Sequence, residues 1–111
     1  MNVHKELGPG FLEAVYQEAF AIEMTEINIL FEKEKKLNIK YKNKILSKYY
    51  MADFVCENKV IVEVKANDFI KEIDKIQALN YLKATDYQIC LLINFGSLSL
   101  QHHRVVNNLK A

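Results

Sequence analysis

The chain has little that would tie it to a disulfide framework, a membrane or a nucleotide loop. Its 111 residues include two cysteines, one proline and three glycines. Cys56 and Cys90 each sit inside an apolar run and form no C-x-x-C pair. Both are therefore expected as buried free thiols, not as a bridge or a zinc site. No apolar run approaches the ~18–20 residues of a membrane span. The charged start, broken by Gly8-Pro9-Gly10, lacks the apolar stretch of a secretion signal. No membrane partner and a cytoplasmic location are the expectations that follow. Gly8-Pro9-Gly10 is also too short for a phosphate-cradling loop and lacks the Lys-Ser/Thr of a P-loop, which ranks hydrolysis of a small phosphorylated molecule last. With a net charge of +1, the chain is not a polycation.

What is present suits one domain over residues 1–111, with 50% hydrophobic and 26% charged residues. One modest core is expected at this size. Charge is uneven along the chain. Seven lysines fall between positions 33 and 48: Lys33, Lys35, Lys36, Lys40, Lys42, Lys44 and Lys48. Such a run suits a phosphate backbone. For any single lysine the better reading is the solvated edge of a hairpin, where lysines block edge-to-edge pairing, while the stretch as a whole stays compatible with nucleic acid.

The pattern gives helix, three strands, helix, strand and tail. Over residues 11–26, Leu12, Val15, Ala19 and Ile22 recur at helical spacing and are expected to face the core, with Glu13, Tyr16, Gln17 and Phe20 on a neighbouring stripe. Residues 29–41 alternate at Leu37, Ile39 and Tyr41, a strand signature, and residues 42–44 read as a hairpin turn into a strand over 45–56. Glu57-Asn58-Lys59 reads as a second turn, before a β-branched strand over 60–66. A helix over 69–84 is expected, capped by Asp68, with Phe69, Ile73, Ile76 and Leu79 or Asn80 at helical spacing. The run over 87–94 reads as a central strand covered on both faces. The tail, 97–111, holds Arg104-Val105-Val106 as a short edge strand or a helical turn. His102 and His103 are adjacent and point apart if extended, so they are surface residues and not a chelating pair. The fold class is α/β in the broad sense, an α+β mixed sheet with helices packed on it, and a parallel pairing across the second helix would be right-handed.

The segment from Tyr50 to Ala66 carries the chemistry. Glu63 and Lys65 are two apart on a strand and share a face, while Val60, Val62 and Val64 take the other. With a three-residue loop at Glu57-Asn58-Lys59, Asp53 lies opposite Glu63. A two-residue loop would set Asp53 against Val64, on the wrong face. A carboxylate inside an apolar strand is costly unless paired or metal-bound. Two converging carboxylates favour a hard divalent cation. Lys65 beside them is placed to position an attacking hydroxide and to offset transition-state charge. On spacing alone, a structural salt bridge is the better account of Glu63 and Lys65, and the upstream Asp53 in an apolar strand only brings the two readings level.

The D-x(9)-E-V-K pattern at the end of an apolar strand resembles the PD-(D/E)xK nuclease superfamily. Gly10-Phe-Leu-Glu13-Ala-Val-Tyr16 is similar to the G-x-x-E-x-x-Y signature of the small GxxExxY proteins within it. Further pieces match in order: residues 3–10, Tyr50-x-Ala-Asp53, Val60-Ile-Val-Glu63-Val-Lys65-Ala66, Gln77-Ala-Leu-Asn80-Tyr81-Leu82 and residues 91–96. The resemblance implies a restriction-endonuclease-like core of helix, three-strand meander, helix and strand. It implies a nuclease using Mg²⁺ or Mn²⁺, with Asp53 and Glu63 as metal ligands, Glu13 as a further acidic ligand, and Lys65 as the catalytic lysine. Gln77 and Tyr81 reproduce the Q-x-x-x-Y motif of RecB-like nucleases, so the resemblance makes Gln77 an assisting catalytic residue and Gln77, Tyr81 and Tyr16 nucleic-acid contacts. His4 is implied as an extra ligand. Unaided, Gln77 and Tyr81 are an ordinary polar pair at i and i+4. The implied partner is nucleic acid, DNA by preference, with a homodimer as one way to extend the binding surface. The alternative is a nuclease-fold module that binds or assembles with little catalysis.

Overall fold

Two tight turns and one helical crossover set the architecture of the computed structural model, which describes residues 2–107. The elements are α1 (Asn2–Leu7), α2 (Glu13–Glu26), β1 (Phe31–Tyr41), β2 (Lys44–Cys56), β3 (Val60–Lys65), α3 (Glu72–Ala84), β4 (Ile89–Asn94) and β5 (Gln101–Val106). Lys42 and Asn43 turn β1 into β2 with φ of 48° and 63°, the left-handed pair that suits a two-residue hairpin. The expected three-residue turn is thus one residue shorter. Of the tail, Gln101–Val106 is an edge strand antiparallel to β4, and residues 108–111 lie outside the described residues.

The five strands stand in the order β1-β2-β3-β4-β5. Only β3 and β4 pair in parallel, with α3 in the crossover between them; the other neighbours are antiparallel. One apolar layer joins the sheet to α1 and α2 through Val3, Tyr16, Phe20, Met24, Phe54 and Phe95, among others. The second joins the opposite face to α3 through Ala78, Leu82, Ile61 and Leu92, among others. Val60, Val62 and Val64 all belong to the α2 side, as their spacing requires. Among the described residues no helix is long and apolar enough to cross a membrane.

Both helices bury a different stripe from the one expected. On α2 the core stripe is Tyr16, Phe20 and Met24, whereas Leu12 is 77% exposed and Val15 and Ile22 are also exposed. Both stripes have helical spacing. The aromatic one wins because it buries more surface and meets an aromatic layer: Tyr16 stacks on Phe95 at 5.1 Å, and Phe20 meets Phe54 edge-on at 5.4 Å. On α3 the helix starts at Glu72, and Lys71, not Asp68, is the N-cap. The Asp74 carboxylate accepts the Lys71 N–H at 3.0 Å, which stops the helix from extending backward. Ala78 and Leu82 face the sheet, while Phe69, Ile73 and Ile76 are exposed. Of the two thiols, Cys90 is buried and Cys56 half-buried, and both are free.

Asn94 and Gly96 fix the chain where it leaves β3. The fully buried Asn94 amide accepts the Asn67 N–H at 3.0 Å and donates to the Asn67 carbonyl at 2.8 Å. A Cβ at Gly96 would collide with the backbone of Ala66 and Asn67. Gly96→Ala is therefore expected to cost about 1–3 kcal/mol through overpacking. Chemical denaturation should show a lower midpoint at unchanged slope, and an unchanged midpoint would contradict this packing.

Candidate active site

β2 and β3 run together only from Cys56↔Val60 to Phe54↔Val62. Beyond that, β2 stays with β1 as far as Tyr41↔Lys44, and β3 stays with β4 as far as Lys65↔Asn94. The sheet therefore forks, and Asp53 and Glu63 are the first residues past the last pair. The three-residue turn Glu57-Asn58-Lys59 sets them opposite each other, as the odd loop length requires.

At the vertex, side chains replace the missing ladder. The Asp53 N–H donates to Glu63 Oε2 at 2.8 Å, and the Val64 N–H donates to Asp53 Oδ2 at 2.8 Å. Each carboxylate thus satisfies a backbone donor freed by the fork and keeps a second oxygen. Faces also exchange here. Phe31 and Phe54 pack on the α2 side, yet Leu37, Tyr50 and Ala52, of the same alternation, pack on the α3 side. The exchange falls at Glu34 and Asp53, where Glu34 has a left-handed φ of 53°.

The carboxylates crowd one another. Burial, and then the Asp53 charge, push Glu63 up from the usual 4.5 to about 7, against the pull of the Asp53 N–H, the Tyr50 hydroxyl and Lys65. Burial likewise raises Asp53, with Glu34 adding to the rise and the Val64 N–H, Lys65 and the Gln17 side chain opposing it. Glu13, at the start of α2, is raised by burial and by Asp53 and Asp74, and lowered by Lys65. One lysine thus faces three carboxylates that all hold protons more tightly than usual.

This surplus of negative charge, presented by oxygen atoms alone, fits a hard divalent cation such as Mg²⁺ or Mn²⁺. Among the described residues no cluster of three or more His, Cys, Asp or Glu could hold a metal by itself. The fit is hence to two carboxylates completed by water, and not to a closed zinc site.

A sequence model of the PD-(D/E)XK nuclease superfamily matches residues 1–105. The chain belongs to the PD-(D/E)XK nuclease superfamily. The crystal structure of SSO0001 is similar in fold, with a TM-score of 0.63 and 16% identity, over 86% of this chain and 50% of that one. The chain therefore spans half the length of that protein. No curated protein matches it.

Within this superfamily fold, the remaining candidate residues divide. Gln77 donates to the Tyr81 hydroxyl at 2.9 Å, and Tyr81 stacks on Tyr50 with ring centroids 3.5 Å apart. The Tyr50 hydroxyl is buried without a hydrogen bond of normal geometry, and Glu63 is the charge that bears on it most. Gln77, Tyr81 and Tyr50 thus form a brace behind Glu63. Tyr16 calls for a correction. Its ring is fully buried at 0% exposure, and its hydroxyl links the Gly8 carbonyl to the Phe11 N–H, so it presents no surface to nucleic acid. The half-buried His4 bonds the Ser97 carbonyl at 2.9 Å through Nε2 and ties α1 to the loop after β4.

Three participants were missed by sequence reasoning. Gln17 lies four residues after Glu13, on the same helix face, and that spacing was a usable signal. Tyr50 precedes Asp53 by three residues in a matched segment but showed no chemical pattern of its own. Glu34 reaches Asp53 only through strand pairing.

Proposed function

We propose that this PD-(D/E)XK protein is a Mg²⁺- or Mn²⁺-dependent nuclease of the GxxExxY kind, hydrolysing phosphodiester bonds in nucleic acid, DNA by preference. The observation that carries the reading is the fork: Asp53 and Glu63 meet at its vertex, with Lys65 two residues along β3 on the side of Glu63. Asp53 and Glu63 would hold the cation, and Glu13 would reach it through water. The bound cation supplies Lewis-acid polarisation of the phosphate and a more acidic water. The Lys65 ammonium holds the attacking water by a hydrogen bond and faces the negative charge that builds on the phosphate oxygens. Gln17 restrains the Asp53 carboxylate. The Gln77-Tyr81-Tyr50 brace limits the swing of Glu63.

The test is cleavage of single-stranded and duplex DNA by purified protein with Mg²⁺, Mn²⁺ or EDTA, beside Asp53→Ala. Metal-dependent cleavage lost in the variant is the expected result. Cleavage that survives Asp53→Ala defeats this assignment. A folded, metal-binding protein that cuts neither substrate points instead to a binding or assembly module.

A further inference from the structure

The β1–β2 hairpin continues past the vertex as an arm with one closed face and one open face. On the closed face, Leu37, Tyr50 and Ala52 pack on the α3 side. At its far end the Lys40 ammonium meets the Asp86 carboxylate at 3.0 Å in an exposed ion pair. On the open face, Lys36 pairs with Met51 and Asn38 with Tyr49, and all four are exposed. Tyr49 is 49% and Met51 46% exposed, and the Lys36 ammonium sits 4.6 Å from the Tyr49 ring centroid.

We propose that this open face, built on Lys36, Asn38, Tyr49 and Met51, is a platform for a single strand of nucleic acid leading into the fork. The inference rests on the nuclease reading for the identity of its ligand. Three observations support it. A cation and an aromatic ring sit side by side on one exposed face, Lys36 against Tyr49, the pairing that holds a phosphate backbone while bases stack. The platform lies close to the carboxylates along β2: Met51 is two residues from Asp53, about 7 Å along the strand, and Tyr49 is four residues away, about 13 Å. The closed face bars the arm from entering a major groove as a free two-stranded ribbon, which is how such an element reads duplex DNA. What remains is a one-sided surface, suited to an extended strand.

The experiment is fluorescence anisotropy of a labelled oligothymidylate and of a matched duplex, in EDTA, with wild type, Tyr49→Ala and Lys36→Ala. Both positions are exposed, so melting curves should coincide with wild type. Tyr49→Ala is expected to weaken single-strand binding by roughly tenfold or more. Lys36→Ala should weaken it and reduce the salt slope by about 0.7. Duplex affinity should change far less in both. Unchanged single-strand affinity, or equal losses for duplex, overturns the platform, as does a shift in oligomeric state by light scattering with no change in binding. Because EDTA excludes cleavage, strand binding lost in these variants would uphold the platform even if no nuclease activity is found. Normal binding by both variants of an active nuclease would remove the platform alone.

Discussion

Lys65→Ala is expected to slow metal-dependent cleavage by about 10²–10³-fold, the usual consequence of removing one preorganised group aimed at developing charge. The lysine bears on Asp53, Glu63 and Glu13 alike, and in each case it opposes the rise in proton affinity. It is therefore the cation that bears on all three carboxylates of the proposed site. The ion pairs found among the described residues are Lys35–Glu32, Lys40–Asp86 and Lys75–Glu72, none of which includes Lys65. Truncation should leave the fold intact, since the backbone here is held independently: the Phe95 N–H donates to the Lys65 carbonyl at 2.9 Å. Single-turnover cleavage under saturating metal is the appropriate measurement. A rate within tenfold of wild type, in a variant that melts normally, would remove Lys65 from the mechanism.

Glu63→Gln is expected to stabilise the metal-free protein at alkaline pH. Glu63 carries a folded-state pKa of about 7 against an ordinary 4.5. A raised carboxyl contributes stability that is fully present below the unfolded value and lost as pH rises through the folded value. The loss thus falls between pH 4.5 and about 7, and amounts to roughly 3–4 kcal/mol at one pKa unit per 1.4 kcal/mol. Part of it is repulsion shared with Asp53. Glutamine keeps an oxygen to accept the Asp53 N–H and carries no charge. At pH 8 in EDTA the variant should melt roughly 5 °C or more above wild type, and the gap should shrink at pH 5. Saturating Mg²⁺ should raise the wild type more than the variant. A variant that melts below wild type at pH 8 in EDTA would show that the carboxylate is not strained there.

Much of the fold was legible because it depends on local patterns. The β-branched run of β3, the apolar run of β4 and the odd turn at Glu57-Asn58-Lys59 are properties of neighbouring residues. They place Asp53 opposite Glu63 by the two-residue period alone. The buried faces of α2 and α3 were not legible, because each helix carries two apolar stripes at helical spacing. The choice between them depends on which layer each stripe meets, and for α2 that layer is Phe54 of β2 and Phe95 just after β4, both distant in sequence. Tyr16 illustrates the consequence. The resemblance assigned it to nucleic acid, whereas the aromatic layer buried it.

The sequence by itself determined the first four strands, the three-residue turn at Glu57-Asn58-Lys59, the register of Asp53 against Glu63 that this turn sets, and the shared face of Glu63 and Lys65. All of these follow from backbone periodicity and turn chemistry. Only the tertiary structure decided that β2 and β3 part just beyond Phe54 and Val62, that the two carboxylates occupy the freed backbone donors, and that Glu13 and Gln17 come down beside them from α2. It also decided that the lysine-rich hairpin has one face closed over α3 and one left open. These features arise where strands separated in sequence stop pairing, and a single strand's alternation carries no information about where its partner turns away.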